Sequence, residues 1–406
     1  MSPVSPSKQV QPAAPAWSAV GAMTLCVALL IASEFMPVSL LTPIAHDLHA
    51  TEGMAGQAIS ISGLFALIAS LSIPVIASRF DRRHVLATMT AFMLASLVLI
   101  ACAPNFTVLM AARALLGITI GGFWSLATAT IMRLVPEASV PKALGVMYMG
   151  NAVATAIAAP IGSYLGGVIG WRGVFWALVP LAAVSLAWQW LSLPAMRSSG
   201  ALPVRRVLDL LKRRHVAFAV AGVMLAFGGT FASFTYLRPF LQTYTHATLP
   251  QLSLLLLAFG LGGFAGTPGA TALLGRHLHR MLRGLPLAIA AVTMALLAVG
   301  HRVWPVAVLL LAWGALNAAV PVAWFNWLAV EVADEPEAGG GLMVAAVQLA
   351  IMSGAGLGGL LLDHLSIAAT FAAGAALLVA GSLVVGSGDR LRPRRRIALR
   401  ETAPVF

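Results

Sequence analysis

Over residues 18–386 the sequence is a near-continuous succession of apolar runs, most of them about 20 residues long, broken by short polar turns. A helix of that length crosses the roughly 30 Å hydrocarbon core of a bilayer. In lipid every backbone N–H and C=O must find its partner inside the protein, which leaves only helices and closed barrels as spanning structures. The runs show no period-2 alternation, which argues against a barrel. About twelve spans fit on this ruler, so the expected fold is all-α and polytopic. A mean hydropathy of +0.92 with 9% charged residues in 406 positions agrees, since a water-soluble globule of that length cannot be so apolar.

One long polar interruption, residues 194–215, carries Arg197, Arg205, Arg206, Lys212, Arg213 and Arg214. It divides the chain into a tail (1–17), a first six-helix bundle (18–193), this basic linker, a second six-helix bundle (216–387) and a basic tail (388–406). Two pseudo-symmetric bundles with a site at their interface are the plan of many secondary transporters. With both termini in the cytoplasm, every one of the 25 Lys and Arg except Arg113, Arg172, Arg238 and Arg302 falls inside, as the positive-inside rule requires. The +12 formal charge is then a topology signal meeting anionic headgroups, and no nucleic-acid partner is expected. Cys26 and Cys102 both fall within spans, which supports neither a disulfide framework nor a metal site. The first residues lack the apolar core of a cleaved leader.

Two charges lie where lipid depth makes them costly, Glu34 in the first span and Arg113 in the fourth. Leu41 and Phe106 mark the outer ends of those spans, so at 1.5 Å per residue both charges lie about 10 Å below the outer surface. Equal depth permits a pair. Glu34 is the only carboxylate placed inside a span, and burial and a guanidinium would act on its protonation in opposite senses, the setting of a proton carrier. The alternatives are a permanent structural ion pair, or an arginine that caps backbone carbonyls.

The polar and aromatic groups available to hold a ligand are few. Asn151, Asn317 and Gln348 could contact it or could bond between helices. Phe123 and Trp124 sit near the middle of the fourth span, where they could stack on a flat ring or pack against neighbours. Phe231 and Phe234 belong to the same inventory, whereas Trp324 and Trp327 near a span end are expected to form an interfacial belt. Gly117 with Gly121, Gly162 with Gly166, Gly262 with Gly266 and Gly354 with Gly358 are each four apart and predict close helix packing.

The loop Ser78-Arg79-Phe80-Asp81-Arg82-Arg83 resembles the conformational loop between spans two and three of the major facilitator superfamily, with Ser78 at a usual Asp and Asp81 at a usual Gly. Arg113 with Gly117 resembles the fourth-span motif of its drug-proton antiporter branch, and Pro160, Gly162 and Gly166 the antiporter motif of its fifth span. The runs Glu34-Phe35-Met36-Pro37, Gly121-Gly122-Phe123-Trp124 and Phe234-Thr235-Tyr236-Leu237-Arg238-Pro239 are similar to those of bacterial purine ribonucleoside exporters. Sugar and arabinose exporters share parts of them.

The resemblance implies a monomeric inner-membrane antiporter without enzymatic activity. It would export a small molecule, such as inosine, guanosine, adenosine or a purine-base analogue, in exchange for protons, with the proton gradient as energy source and no cofactor. A sugar or multidrug exporter of the same superfamily is the alternative, and a non-transporting receptor or sensor the alternative of another class.

Overall fold

The computed structural model describes residues 16–77, 79–196, 204–332 and 334–389. Its long helices are α1 (Trp17–Asp47), α2 (Glu52–Ala77), α3 (Arg82–Ala101), α4 (Phe106–Leu134) and α5 (Val140–Ser192), followed by the short α6 (Val204–Asp209). Then come α7 (Arg214–Phe234), α8 (Leu237–Thr243), α9 (Leu249–Val299), α10 (Val303–Glu331), α11 (Pro336–His364) and α12 (Ile367–Asp389). Among the described residues there is no strand, and 11 stretches are long and apolar enough to cross a membrane.

One of these stretches, Lys142–Ser192, contains two crossings. Its 51 residues would make a helix of about 75 Å, more than twice a hydrocarbon core. At Gly170 the backbone turns to φ 73°, ψ 162°, a conformation open to glycine, and the chain reverses there. The chain is therefore a multi-pass membrane protein with about twelve crossings, as its hydropathy requires.

Hydropathy alone sets the seventh span at 216–239 and the eighth and ninth at 251–274 and 285–300, and two connections differ from that expectation. The seventh span does not continue to Pro239 as one helix: α7 ends at Phe234 and α8 starts at Leu237. The imino ring explains the break, because Pro239 has no N–H to give the Thr235 carbonyl four residues back. Between the eighth and ninth spans, Leu249–Ala270 and Leu278–Val299, the helical backbone of α9 runs on where a separate polar connection was expected.

Glycine spacing sets which helices touch. A Cβ at Gly117 or Gly121 would strike the Ser62 or Ala66 carbonyl, so α4 lies directly on the α2 backbone. Gly262 and Gly266 do the same for α9 against Leu311 and Ala315 of α10, and Gly354 and Gly358 for α11 against Gly228 and Ala232 of α7. Such contact distances are open only to residues without a side chain.

The apolar cores follow this pairing. One extends over the first helices from Ala19 to Met196, while the other draws mainly on residues between Val207 and Val385, with Val38, Ile59 and Ala159 joining it from the first half. The halves meet most closely at the end that the charge distribution assigns to the outside, termed outer below. There Asp363 of α11 accepts from the Thr51 hydroxyl (2.6 Å) and the Gly53 N–H (3.0 Å) at the start of α2. Deeper in, Gln57 donates to the Gly356 carbonyl at 3.2 Å.

At the opposite end, Asp81 caps α3 by accepting from the Arg83 N–H at 2.8 Å, and both its oxygens also accept from the Met196 N–H. The Arg82 N–H returns a bond to the Met196 carbonyl, and the Arg83 guanidinium lies 5.0 Å from the Trp190 ring centre. The Asp81, Arg82 and Arg83 part of the loop is thus tied to the end of α5, while Arg79 is exposed and Ser78 lies outside the described residues.

Candidate functional site

The site is built on two prolines. Pro37 and Pro43 lie inside α1, and a proline cannot donate to the carbonyl four residues before it. The carbonyls released are those of Ser33 and Ser39, both in residues that are fully buried. A buried carbonyl without a donor costs about 1–3 kcal/mol, so each requires a partner from elsewhere. Each receives an arginine. Arg113 of α4 donates from Nη1 to the Ser33 oxygen at 2.9 Å, and from Nε to the Ala58 oxygen of α2 at 3.0 Å. Arg238 of α8, from the other half of the chain, donates from Nη1 to the Ser39 oxygen. The Gly117 and Gly121 contacts bring α4 close enough to α2 for the Arg113 side chain to reach.

Glu34 is next to Ser33 and is buried, yet no ion pair joins it to Arg113. The pair that equal depth allowed is replaced by the carbonyl-capping arrangement, because Pro37 leaves the Ser33 carbonyl open and the guanidinium takes it. Among the described residues the Glu34 carboxylate has no hydrogen-bond partner, and Arg113 is the one charge that reaches it. Arg113 Nη2 is likewise unpaired, beside a small void lined by Pro37, Leu41, Ala58, Leu109 and Phe175. A buried acid thus lies next in sequence to the residue whose carbonyl holds an incompletely used guanidinium.

Phe35, the residue after Glu34, begins a row of rings that crosses between the halves. It lies 6.1 Å from Phe231 in a stacked geometry and 5.7 Å from Phe234 edge-on. Phe234 stacks on Phe259 at 5.1 Å, and Phe259 meets Trp313 at 5.6 Å. Beside this row are polar atoms with no protein partner: Trp313 Nε1 and, one turn on along α10, Asn317 Nδ2. Gln348 Oε1 of α11 is also buried and unpaired. Together they offer donors, an acceptor and flat apolar faces, which is the composition of a pocket for an amphipathic ring.

Other expected contacts lie elsewhere. Phe123 is fully enclosed in the first core, as Phe231, Phe234 and Phe259 are buried in the second, whereas Phe35 is only half-buried. Trp124 is half-buried and stacks on Tyr148 at 6.0 Å. Asn151 is half-buried on α5, one residue beyond the contact of Gly150 with the Thr24 carbonyl of α1. Trp324 and Trp327 do not form a belt at the lipid surface; both are buried in the second core, edge-on to each other at 5.9 Å.

The antiporter-like motif packs against the proline-bearing part of α1. A Cβ at Gly162 would meet Ser39 Oγ at 2.7 Å and Met36 at 3.3 Å, and one at Gly166 would strike Leu40. Pro160 releases the Ala156 carbonyl by the same i−4 rule, and that oxygen lies against Gly260 of α9, where a side chain would collide with it.

The sequence profile of the Major Facilitator Superfamily matches residues 23–340. The chain belongs to this superfamily. It is a transporter rather than an enzyme, and its membrane-spanning helices are those of the family fold. It is 49% identical over 369 residues to the transcription regulatory protein OpdE of Pseudomonas aeruginosa, covering 89% of this chain and 91% of that protein. It is 38% identical over 381 residues to the purine ribonucleoside efflux pump NepI of Salmonella paratyphi B, covering 94% and 96% respectively. NepI of Salmonella typhimurium matches at the same identity and coverage.

Proposed function

We propose that the chain is a proton-coupled antiporter that exports purine ribonucleosides across the bacterial inner membrane, with both termini in the cytoplasm. The observation that carries this reading is the row Phe35, Phe231, Phe234 and Phe259, placed directly after a buried carboxylate that has no partner. A purine stacks on such faces, its edge pairs with amides such as Asn317 and Gln348, and each aromatic stack contributes about 1–3 kcal/mol. The efflux pumps among the relatives support the same substrate class. In the cycle, the two bundles rock around this midplane site, and Glu34 takes a proton from outside and gives it up inside while the nucleoside moves outward.

The test is side-by-side transport of inosine, guanosine, adenosine, arabinose and a cationic dye by purified protein in liposomes carrying a pH gradient. Inosine uptake into inverted, acid-inside vesicles is the expected result; movement of arabinose or dye without inosine overturns the substrate class. Orientation is checked separately by a reporter active only outside the cytoplasm, silent after Ser199 and active after Asp363.

A second reading, a receptor that signals without transporting, is favoured by one observation, the name of the relative OpdE. Counterflow of labelled inosine separates the two, because a receptor moves nothing.

A further inference from the structure

The two arginines that cap α1 differ in where they come from. Arg113 belongs to the same half as α1, so its bond to Ser33 survives any rigid-body movement of one half against the other. Arg238 belongs to the other half, and its bond to Ser39 spans the interface. We propose that Arg238 is a positioning residue of the transport cycle, which holds the Pro43-released carbonyl of α1 when the outer ends are together and lets go of it when they separate.

The remaining contacts at that end are of another kind. Asp363 binds the first residues of α2, and the Tyr236 hydroxyl donates to the Ala355 carbonyl of its own half while filling the space beside Gly56 and Gly359. These fasten α2. Arg238 is the buried cation that reaches α1 from the second half, at Ser39, five residues from Glu34 along the helix that carries the site. Its Nε has no partner, and the carboxylate whose charge reaches it is Glu52, which also accepts from the Thr42 hydroxyl at 2.6 Å.

The consequence follows from the carbonyl. With the outer ends together, Ser39 is fully buried, and without Arg238 its oxygen would be an unpaired acceptor in an apolar setting. With the ends apart, water reaches the oxygen and no arginine is needed. Arg238 therefore favours the arrangement in which the ends are together, and it does so only because Pro43 has removed the helix donor. The inference rests on the transporter reading for its place in a cycle, although the conformational part stands by itself.

The experiment uses the full chain with Ser60 replaced by Cys, in a Cys102→Ser background, labelled by a membrane-impermeant maleimide in spheroplasts. Ser60 lies on α2 at the interface, buried and with its hydroxyl unpaired, so its labelling reports opening from outside. Arg238→Gln is expected to raise the labelling rate about tenfold, the effect of one unsatisfied buried acceptor. Arg238→Lys should give a smaller rise.

Adding Pro43→Ala to Arg238→Gln restores an N–H for the Ser39 carbonyl and should bring the rate at least halfway back on a logarithmic scale. Unchanged labelling in Arg238→Gln overturns the proposal, as does a double variant that labels as fast as the single one. Should Arg238→Gln fail to accumulate, rescue of its accumulation by Pro43→Ala supports the proposal and absence of rescue overturns it. Inosine counterflow by the parent tests the transporter reading independently, since labelling needs no substrate.

Discussion

Arg113 Nη1 lies 2.9 Å from the carbonyl oxygen of Ser33, the oxygen that Pro37 cannot serve. Proline and arginine thus form one unit although they lie on different helices, and a mutation cycle can show it. Arg113→Leu leaves the Ser33 carbonyl unpaired, a loss of about 1–3 kcal/mol for a buried acceptor, whereas the Ala58 carbonyl keeps the Ser62 hydroxyl as a donor. Pro37→Ala in the same chain returns a helix donor to Ser33. The double variant is therefore expected to be more stable than Arg113→Leu alone by about 1 kcal/mol or more, a coupling of the size that residues in contact show. Thermal unfolding in detergent measures it, and strict additivity would show that the two residues act independently.

A second prediction concerns the aromatic row. Phe35→Ala and Phe234→Ala each remove a face that a purine would stack on, at a cost of about 1–3 kcal/mol. If the stack is made equally in the resting and moving states, KM rises about 5- to 150-fold while the maximal rate changes little. Phe234→Ala, buried in the second core, should lower stability as well, whereas Phe123→Ala, enclosed in the first core, should lower stability and leave KM near the parent value. Transport kinetics of inosine for the three variants distinguish a pocket from packing.

Much of this arrangement is legible in the chain itself. Twelve apolar runs, the glycine pairs and the depth of Glu34 and Arg113 follow from composition and spacing, because lipid allows so few backbone solutions. The i−4 consequence of Pro37 and Pro43 is equally present in the sequence, and it names Ser33 and Ser39 as acceptors in search of donors. Which donors arrive cannot be read there, since Arg238 reaches Ser39 only through the docking of two halves whose register no local pattern encodes. The same holds for Phe35, which is one ring among many until α7 is packed against it. Phe123 and Trp324 went the other way: an aromatic at mid-span or near a span end has the same sequence signature whether it faces a cavity, lipid or a core.

The loop between α2 and α3 provides a pH-dependent prediction outside the membrane. Burial raises the Asp81 pKa, but the backbone N–H groups of Met196 and Arg83, together with the nearby His84 and Arg83 charges, lower it by more, so the net shift is downward. A depressed folded value means that the stabilisation is present above the ordinary carboxylate range and is lost as the pH falls through the lowered value. Asp81→Ala removes an N-cap, at about 1 kcal/mol. Asp81→Asn keeps the cap, since Asn serves as well there, but removes the titration. Unfolding measured from pH 7 downward should show Asp81→Ala weaker throughout, and Asp81→Asn near the parent at pH 7 with a flatter acid limb. Identical acid limbs for Asn and Asp would rule out a role for this charge.

The coupling step is the sharpest test of the proposed antiport. Glu34→Gln keeps the size of the side chain and its hydrogen-bonding capacity but cannot exchange a proton. It should abolish uphill export driven by a pH gradient, while substrate exchange, which needs no net proton movement, continues. Moving one proton inward for each neutral nucleoside outward also moves one positive charge inward. A membrane potential, negative inside, should then accelerate export by the parent, with about 2.3 kcal/mol available per charge at 100 mV. In Glu34→Gln that voltage response should vanish together with the pH response, because both report the same proton. If pH-driven export by Glu34→Gln equals that of the parent, the proton travels on another group. Asp363 is then the next to replace, although it already serves Thr51 and Gly53 at the outer end and its loss would also loosen that contact.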